Sequence, residues 1–531
     1  MMRPVLYYLT VSALIVTLFG CRPTGDDLIS YGQNDNQAYG EVHKSHAATF
    51  KALWMAMNEN YCIWDYESAH GVDWDEVYAD YLPLFEALDD STRRKPVTMN
   101  ELKALYAHFL DSLHDGHLGI QISSSVSPET LSFQPGVARV KRERGGEYAV
   151  TGKYLTNPSR YTATDTEFHI EQLDSANGPA VAMQYVMEQC DTIILRSEAF
   201  LAELEPLRNT EAVEATYQLV AEMKRQAESI CFMPAPNASC VPWYNTLCTQ
   251  YRNAGQLIGM TLKPVSTSVY QDMMRYLYTA RFEGNILYLR LGAFGLTNHL
   301  SPSAQPANPP SDYAVYRHMV DSVWHRWFDS IKRYHDEGTL GGVIIDVRNN
   351  NGGYVNDYQY VLGALLPSGG VSPCKMRMKN GVGRYDFAPV VSFTLPTYPN
   401  AHAVITDEPI VVLSNVRSIS MAEQTAWGVK TLPNGTLIGT RTFGALSALN
   451  TDPAYYSQTY SGAFGEKGVT PVYGYVPKYV AMYDVQGDGE LQILEGIGIT
   501  PDIEVPFDLP LYLSTGRDNQ LEAALRYIKK R

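Results

Sequence analysis

The sequence lacks an excess of positive charge and has no long basic run. Its 42 Lys and Arg residues are outnumbered by 57 Asp and Glu, for a formal net charge of −15 at pH 7. Neutralising phosphates requires clustered Lys and Arg, so the composition argues against nucleic acid as a partner. The hydrophobic fraction of 45% and the charged fraction of 19% are those of an ordinary globular protein rather than a disordered chain.

Zinc motifs and phosphate loops are also missing. None of the seven cysteines stands in a paired C-x-x-C motif, so we predict no metal site. Cys231, Cys240 and Cys248 are close enough in sequence to form a local disulfide in an exported protein, although their pairing stays open. The glycine pair Gly352-Gly353 is not followed by Gly-Lys-Ser/Thr, which a phosphate loop needs.

The N-terminus carries one early charge, Arg3, and an apolar stretch over 5–19 that ends close to Cys21. The stretch is too short for a membrane-spanning helix and is typical of a secretory signal. It resembles a bacterial lipoprotein signal, in which the cysteine is lipidated; an ordinary cleaved signal with an incidental cysteine is the alternative. We therefore predict a signal peptide at 1–20, a flexible tether at 21–42, and lipid anchoring in the bacterial cell envelope, on its periplasmic or outer-surface side.

Residues 43–125 have helical apolar spacing and are predicted to form an N-terminal helical domain. The third helix opens on Thr98 followed by Glu101, which resembles a capping box. We predict that it runs to Asp115-Gly116, so that His117 begins an extended segment.

The middle region, 126–278, is predicted to be an accessory domain. Its pieces GVARVKRE, GEYAVTGKYL and TEFHIEQL look like strands and precede a long helical run. A divergent PDZ-like fold with a helical insertion is one alternative for it. From 279 to 531, short β-branched runs alternate with helical stretches, which predicts an α/β core around a largely parallel sheet.

Two stretches of this core carry chemistry. The apolar run in VLSNVRSISMAEQTAWGV leads into Ser420 at the start of a helix, where backbone N–H groups suit either a nucleophile or an ordinary cap. Taken alone, the stretch favours a cap. In GGVIIDVRNNNGGY, the N–H of Gly352 or Gly353 fits an oxyanion hole better than a phosphate site. Asp346 and Arg348 are predicted to brace this loop.

A family resemblance joins these stretches. DVRNNNGG, SNVRSISMAEQTA, GTRTFGA and GIGITPDIEV follow in the order typical of one peptidase family, which contains the tail-specific (C-terminal processing) proteases and the tricorn core protease. The resemblance implies a crotonase/ClpP-like α/β core with Ser420 as the nucleophile. It also implies an oxyanion hole formed by the N–H of Met421 and that of Gly352 or Gly353.

The general base distinguishes two branches of that family. Tail-specific proteases have a lysine directly after T-F-G, where this sequence has Ala445, and Lys430 is poorly placed to replace it. Tricorn-like members use a histidine and a glutamate, which here match His117 and Glu495. The tricorn protease has a serine before its histidine, whereas this chain has Gly116.

The resemblance therefore implies an exported serine peptidase that acts on a peptide or protein through an acyl-enzyme with a Ser-His-Glu arrangement. It implies no cofactor and a membrane partner only through the lipid anchor. The alternative is a non-catalytic ligand- or peptide-binding lipoprotein on the same fold. His114, one helical turn from His117, is predicted to be a surface residue.

Overall fold

The fold is described from a computed structural model. It describes the residues 45–123, 130–151, 179–231, 240–262, 264, 278–301, 313–362, 365, 371–381, 383–395, 407–449, 463–465 and 470–531. The predicted signal, tether and lipidation site at Cys21 lie outside these residues. No helix in the described part of the chain has the length and apolarity needed to cross a membrane.

The N-terminal region is helical, as predicted, and its helices pack around one aromatic-rich core. Its elements are α1 (His46–Asn60), α2 (Trp64–Ala69), α3 (Trp74–Leu88) and α4 (Met99–Leu110). The Thr98 side chain accepts from the Glu101 N–H at 3.2 Å, so Thr98 caps α4 as expected. The predicted end of this helix at Asp115-Gly116 is wrong: α4 ends at Leu110, because the following residues turn and Asp115 accepts hydrogen bonds from the chain after it.

The middle region differs most from its prediction. Its described elements are β2 (Thr130–Phe133), α5 (Pro135–Thr151), α6 (Pro179–Leu204), a 3₁₀ turn (Glu205–Leu207), α7 (Glu211–Cys231), α8 (Cys240–Gln250) and α9 (Arg252–Leu257). GVARVKRE and the start of GEYAVTGKYL are helical in α5, not strands, because Val140 and Tyr148 are buried at a helical spacing on either side of a kink at Arg144. TEFHIEQL lies outside the described residues.

The cysteines of this region do not form the suggested disulfide within the described part. Cys231 and Cys248 are buried free thiols in the core that α6, α7 and α8 share. The side chain of Cys240 lies outside the described residues. The identity of the accessory domain stays a prediction.

The C-terminal part is built on a six-stranded sheet, as its strand–helix alternation predicts. The strands are β3 (Tyr278–Phe282), β4 (Ile286–Arg290), β5 (Gly342–Asp346), β8 (Ile410–Ser414), β9 (Gly435–Gly439) and β14 (Ile503–Glu504). They lie in the order β14-β9-β8-β5-β4-β3, parallel from β14 to β4, with β3 as an antiparallel edge. The predicted α/β class is confirmed.

Helices cover both faces of this sheet. The remaining helical elements of the core are α10 (Thr297–Leu300), α11 (Tyr313–Asp336), a 3₁₀ turn (Val355–Asp357), α12 (Tyr358–Val361), α13 (Met421–Lys430), α14 (Leu509–Thr515) and α15 (Asn519–Ile528). One core cluster contains residues of α11, α12 and α13, and a second, on the opposite face, contains residues of α15. Continuous burial of β5 and β8 follows from this double cover.

Two antiparallel sheets complete the described fold. One has the order β10-β11-β1-β2, with β1 (Gly119–Ser123), β10 (Ala463–Phe464) and β11 (Val472–Tyr475). The other has the order β13-β12-β6-β7, with β6 (Val371–Met378), β7 (Val391–Leu395), β12 (Tyr479–Asp484) and β13 (Leu491–Gln492). Gly119 of β1 pairs with Tyr475 of β11, which fastens the loop before β1 to the C-terminal part of the chain.

Candidate active site

Ser420 lies between β8 and α13, with a backbone conformation that non-glycine residues rarely adopt. Its φ is 59°, and among the non-glycine residues described only Asn285 and Asn349 also have a positive φ. Such a conformation costs on the order of 1–3 kcal/mol and persists only where the surroundings enforce it. Ser420 is also the N-cap residue of α13, so it stands where unpaired backbone N–H groups and the helix dipole favour negative charge.

The surroundings that enforce this conformation include Glu423, a residue to which the sequence reasoning gave no role. Its side chain is fully buried, and Oε2 accepts from the N–H of Ser420 at 3.1 Å and of Ala445 at 2.8 Å. Oε1 accepts from the Gly444 N–H at 2.8 Å and from the Thr442 hydroxyl at 2.6 Å. Burial raises the pKa of Glu423 to about 7, against the opposing effect of these donors. The spacing S-x-x-E, a capping-box pattern, was the available signal.

Gly352 lies against the nucleophile, at the turn after β5. A Cβ at this position would come within 2.6 Å of the Ser420 Cβ and 2.9 Å of the Met421 nitrogen. The φ of 83° also requires glycine. However, the Gly352 N–H already donates to the Asn350 side chain at 2.7 Å, so its predicted role as an oxyanion donor needs correction.

Gly353 is placed differently. The Phe294 N–H donates to Gly352 at 2.9 Å and the Tyr354 N–H donates to Phe294 at 3.0 Å, which makes Gly353 the centre of a parallel bridge. In such a bridge the N–H of the central residue points away from the partner strand. A Cβ at Gly353 would meet the Phe294 carbonyl oxygen at 1.9 Å, so only glycine fits. The Gly353 and Met421 N–H groups are thus the remaining predicted donors.

Asp346 and Arg348 brace the loop, as expected, and connect it to the end of the chain. Arg348 forms buried ion pairs with Asp346 at 2.5 Å and with Asp518 at 2.8 Å. Its guanidinium also donates to Gln520 at 2.9 Å, in α15. The C-terminal helix therefore helps to hold the glycine loop in place.

His117 lies in the loop between α4 and β1, beside two buried carboxylates. One carboxylate oxygen each of Asp115 and Glu495 and one ring nitrogen of His117 all lie within 4.8 Å of one another. The structure thus brings the two predicted residues together and adds Asp115, which sequence reasoning missed. Among the described residues these three are the only such group with a spacing that a cation would accept.

Hydrogen bonds hold both carboxylates. Asp115 Oδ1 accepts from the N–H groups of His117 at 2.7 Å and Leu118 at 3.0 Å. Glu495 Oε1 accepts from Gly116 at 2.9 Å, and its Oε2 accepts from the N–H of Leu446 at 2.9 Å and of Ser447 at 2.8 Å. The backbone on both sides of His117 is therefore fixed by acidic side chains.

Burial dominates the electrostatics of this cluster. It lowers the pKa of His117 to about 4, so the ring is neutral at pH 7. It raises the pKa of both Asp115 and Glu495, and the charge of Glu495 raises that of Asp115 further. Within the described part, Asp115 Oδ2 and His117 Nδ1 are buried without a hydrogen-bond partner.

Close packing explains two departures from the family pattern. A Cβ at Gly116 would lie 2.3 Å from the Ala445 Cβ and 2.7 Å from the Gly444 carbonyl oxygen. A serine at 116 has no room here. The side chain of Ala445 begins against the same loop, so a lysine at 445 would compete with the His117 loop for space.

One short segment, 442–447, joins the nucleophile to the histidine loop. The consecutive N–H groups of 444 and 445 donate to Glu423, and those of 446 and 447 donate to Glu495. Ser420 and Ala445 share one carboxylate oxygen of Glu423, while Gly116 packs on Ala445. The nucleophile and the histidine loop are therefore both connected to this segment.

Two other polar residues near the site can be assigned. His114, predicted to be a surface residue, is partly exposed, and its Nδ1 lies 2.7 Å from the buried Glu67, which also accepts from the Tyr61 hydroxyl at 2.7 Å. Lys430 forms an ion pair with Asp502 at the far end of α13, in keeping with its exclusion as a base.

Comparisons with known proteins give matches to peptidases. Residues 285–505 match Peptidase family S41, and residues 42–112 match the tricorn protease C1 domain. A carboxy-terminal-processing protease of Bartonella bacilliformis is 27% identical over 265 residues, or 48% of this chain and 49% of that protein. The chain thus matches about half the length of this curated relative.

Solved structures give more distant matches. A putative peptidase from Parabacteroides merdae is 17% identical, with a TM-score of 0.46, over 91% of this chain and 96% of that one. The tricorn protease is 20% identical, with a TM-score of 0.27, over 46% of this chain and 18% of that one. The family matches define the class of serine-type peptidases. Within it, residues 285–505 are similar to peptidase family S41, and residues 42–112 are similar to the C1 domain of the tricorn protease.

Proposed function

We propose that this protein is an exported serine peptidase that hydrolyses peptide bonds through an acyl-enzyme. The observation that carries the proposal is the 442–447 segment, which connects the loop of His117 to the backbone of Ser420 through two buried glutamates. The match of 285–505 to Peptidase family S41 supports the reaction class.

In this mechanism Ser420 attacks the peptide carbonyl while His117 takes its proton. The neutral ring of His117 is competent as a base at pH 7, since burial keeps its pKa near 4. The carboxylates beside it, with Glu495 as the family expectation, stabilise the imidazolium that forms. His117 then returns the proton to the leaving amine, and water hydrolyses the acyl-enzyme.

The developing oxyanion would be stabilised by the N–H groups of Met421 and Gly353. Met421 is the first residue of α13, where the N–H has no partner within the helix. Gly353 presents its N–H away from Phe294, and the adjacent Gly352 lies against Ser420. The positive φ of Ser420 supports this assignment, because strained backbone is concentrated at functional sites.

The proposed substrate is a peptide or protein, and the proposed location is the cell envelope. The carboxy-terminal-processing relative supports the first part, and the lipoprotein-like signal ending at Cys21 supports the second. Incorporation of radiolabelled palmitate into the full chain, lost in Cys21→Ser, is the expected result for the anchor. Equal incorporation in both chains would contradict it.

Covalent labelling by a fluorophosphonate tests the catalytic proposal. We expect the folded full-length protein to be labelled and Ser420→Ala to abolish labelling. Ser418→Ala is the matched control: the Ser418 hydroxyl donates to Val347 at 2.8 Å and accepts from the Asn415 N–H at 3.0 Å, so it serves the loop. Labelling that persists in Ser420→Ala would overturn the assignment of the nucleophile. A folded protein that never labels would favour the non-catalytic binding alternative.

A further inference from the structure

Two carboxylates lie beside His117, and their hydrogen bonding is unequal. Both oxygens of Glu495 accept backbone N–H groups, from Gly116 on one and from Leu446 and Ser447 on the other. Asp115 uses only Oδ1, which accepts from His117 and Leu118. Its Oδ2 is buried and has no partner in the described structure.

The ring of His117 also has a buried polar atom without a hydrogen-bond partner among the described residues. This atom is Nδ1, although the residue as a whole is only partly buried. The solvent-facing atoms of His117 are therefore atoms other than Nδ1. A buried carboxylate oxygen without a donor and a buried ring nitrogen without a partner are each costly, and a single hydrogen bond between them removes both costs.

We infer that Asp115, rather than Glu495, is the carboxylate that orients His117, by accepting a hydrogen bond from Nδ1–H at Oδ2. The inference rests on the proposed function and assigns the third member of its catalytic arrangement. Glu495 then has a different task, which is to fix the backbone of Gly116 and of 446–447. Asp115 is a positioning residue, because it acts on the reacting serine only through the ring.

The local backbone favours this pairing. Because Asp115 Oδ1 already caps the N–H of His117, the carboxyl group is held at the start of the turn that carries the ring. One carboxylate oxygen of Asp115 and one ring nitrogen of His117 lie within 4.8 Å of each other, so the side chains are neighbours. The pairing then requires a change of side-chain torsion that brings Nδ1 and Oδ2 to hydrogen-bonding distance. With the proton held on Nδ1, Nε2 is free to accept the proton of Ser420.

Asp115→Asn is the informative substitution. Asparagine keeps an oxygen to cap His117 and Leu118 but removes the acceptor at Oδ2, so the fold should be retained. We expect the second-order rate constant of fluorophosphonate labelling to fall on the order of 100-fold. The matched control is Asp111→Asn, the same change on the same loop at a residue that ends α4, which should label like the parent protein.

A proton spectrum of the ¹⁵N-histidine-labelled full chain adds a readout that a structural role would not move. We expect a downfield Nδ1–H signal in the parent protein and in Asp111→Asn, and its loss in Asp115→Asn. Labelling of Asp115→Asn at the parental rate, with the signal retained, would overturn the inference and return the role to Glu495. A parent protein in which Nδ1 carries no proton would also overturn it, since Asp115 would then be the donor.

The results distinguish a failure of the proposed function from a failure of the inference about Asp115. If the parent protein is never labelled, the proposed function fails, whereas the histidine spectrum still tests the contact between Asp115 and His117. If the parent protein is labelled and Asp115→Asn is unaffected, only this inference fails.

Discussion

The nucleophile side of the candidate site, around Ser420, and the histidine side, around His117, are held by hydrogen bonds in different ways. Each contains a buried glutamate that binds two consecutive N–H groups of the 442–447 segment. On the nucleophile side, Glu423 accepts four hydrogen bonds and holds Ser420 in a strained conformation. On the histidine side, Asp115 Oδ2 and His117 Nδ1 are buried without a hydrogen-bond partner among the described residues. The nucleophile is thus set by the fold, while the histidine is positioned by a contact that a side-chain rotation completes.

The largest effect should come from Glu423→Gln. The amide would direct donors at N–H groups that now donate to a carboxylate, so we expect the free energy of unfolding to fall by about 3 kcal/mol. Chemical denaturation measures this change, and the fluorophosphonate labelling rate should fall with it as Ser420 loses its constraint.

Glu101→Gln provides a matched control for that change. Glu101 occupies the same position in α4 as Glu423 does in α13, but it is partly exposed and pairs with Arg93. A loss below about 1 kcal/mol is expected there. If both variants lost the same stability, Glu423 would be an ordinary capping residue and the contrast between the two sides would disappear.

Gly116→Ala, on the histidine side, should cause the next largest loss of stability. The new Cβ would lie 2.3 Å from that of Ala445, and overpacking of this kind costs about 1–3 kcal/mol. Thermal unfolding would measure it. Gly145→Ala is the control, since a Cβ at Gly145 meets nothing within 4 Å. A Gly116→Ala protein as stable as the control would mean that the two loops are not in tight contact.

The pH dependence of labelling sharpens the comparison further. Burial lowers the pKa of His117 from 6.5 to about 4, so the neutral, competent ring persists to lower pH than in an ordinary histidine. We expect labelling to be constant from pH 7 down and then to fall tenfold per pH unit, with the midpoint between about 4 and 6.5.

Negative charges near the His117 ring shift the pH midpoint of labelling in the opposite direction to burial. An ionised Asp115 or Glu495, each with an oxygen within 4.8 Å of a ring nitrogen, favours the imidazolium and so moves the midpoint upward. The midpoint of Asp115→Asn should therefore lie at lower pH than that of the parent protein. A parent midpoint at or above 6.5 would contradict the buried position of the ring.

The smallest effect should come from Lys430→Ala. Lys430 pairs with Asp502 in a partly exposed ion pair at the end of α13, away from Ser420. Such pairs contribute about 0–1 kcal/mol, and labelling should not change. A large loss of labelling would instead indicate that a lysine takes part in the reaction.

Much of the core could be predicted from the sequence, since β5 and β8 are short apolar runs rich in β-branched residues that alternate with helical stretches. The described start of the middle region could not, because the charged residues of α5 hide two buried positions eight residues apart. In the site, Ser420 and His117 stand in recognisable motifs. Asp115 and Asn350 were missed because their role depends on turns that no periodicity encodes. The role of Glu423 could have been predicted from the S-x-x-E spacing, which is typical of a capping box.

The contact between Gly116 and Ala445 also bears on how such sites change by mutation. A lysine at 445 would run into the loop that carries His117, and any side chain at 116 would run into the backbone at 444. Neither position can be altered first without harm to the other. We therefore expect that exchanging this histidine for a lysine base would require the histidine loop to be remodelled together with residue 445.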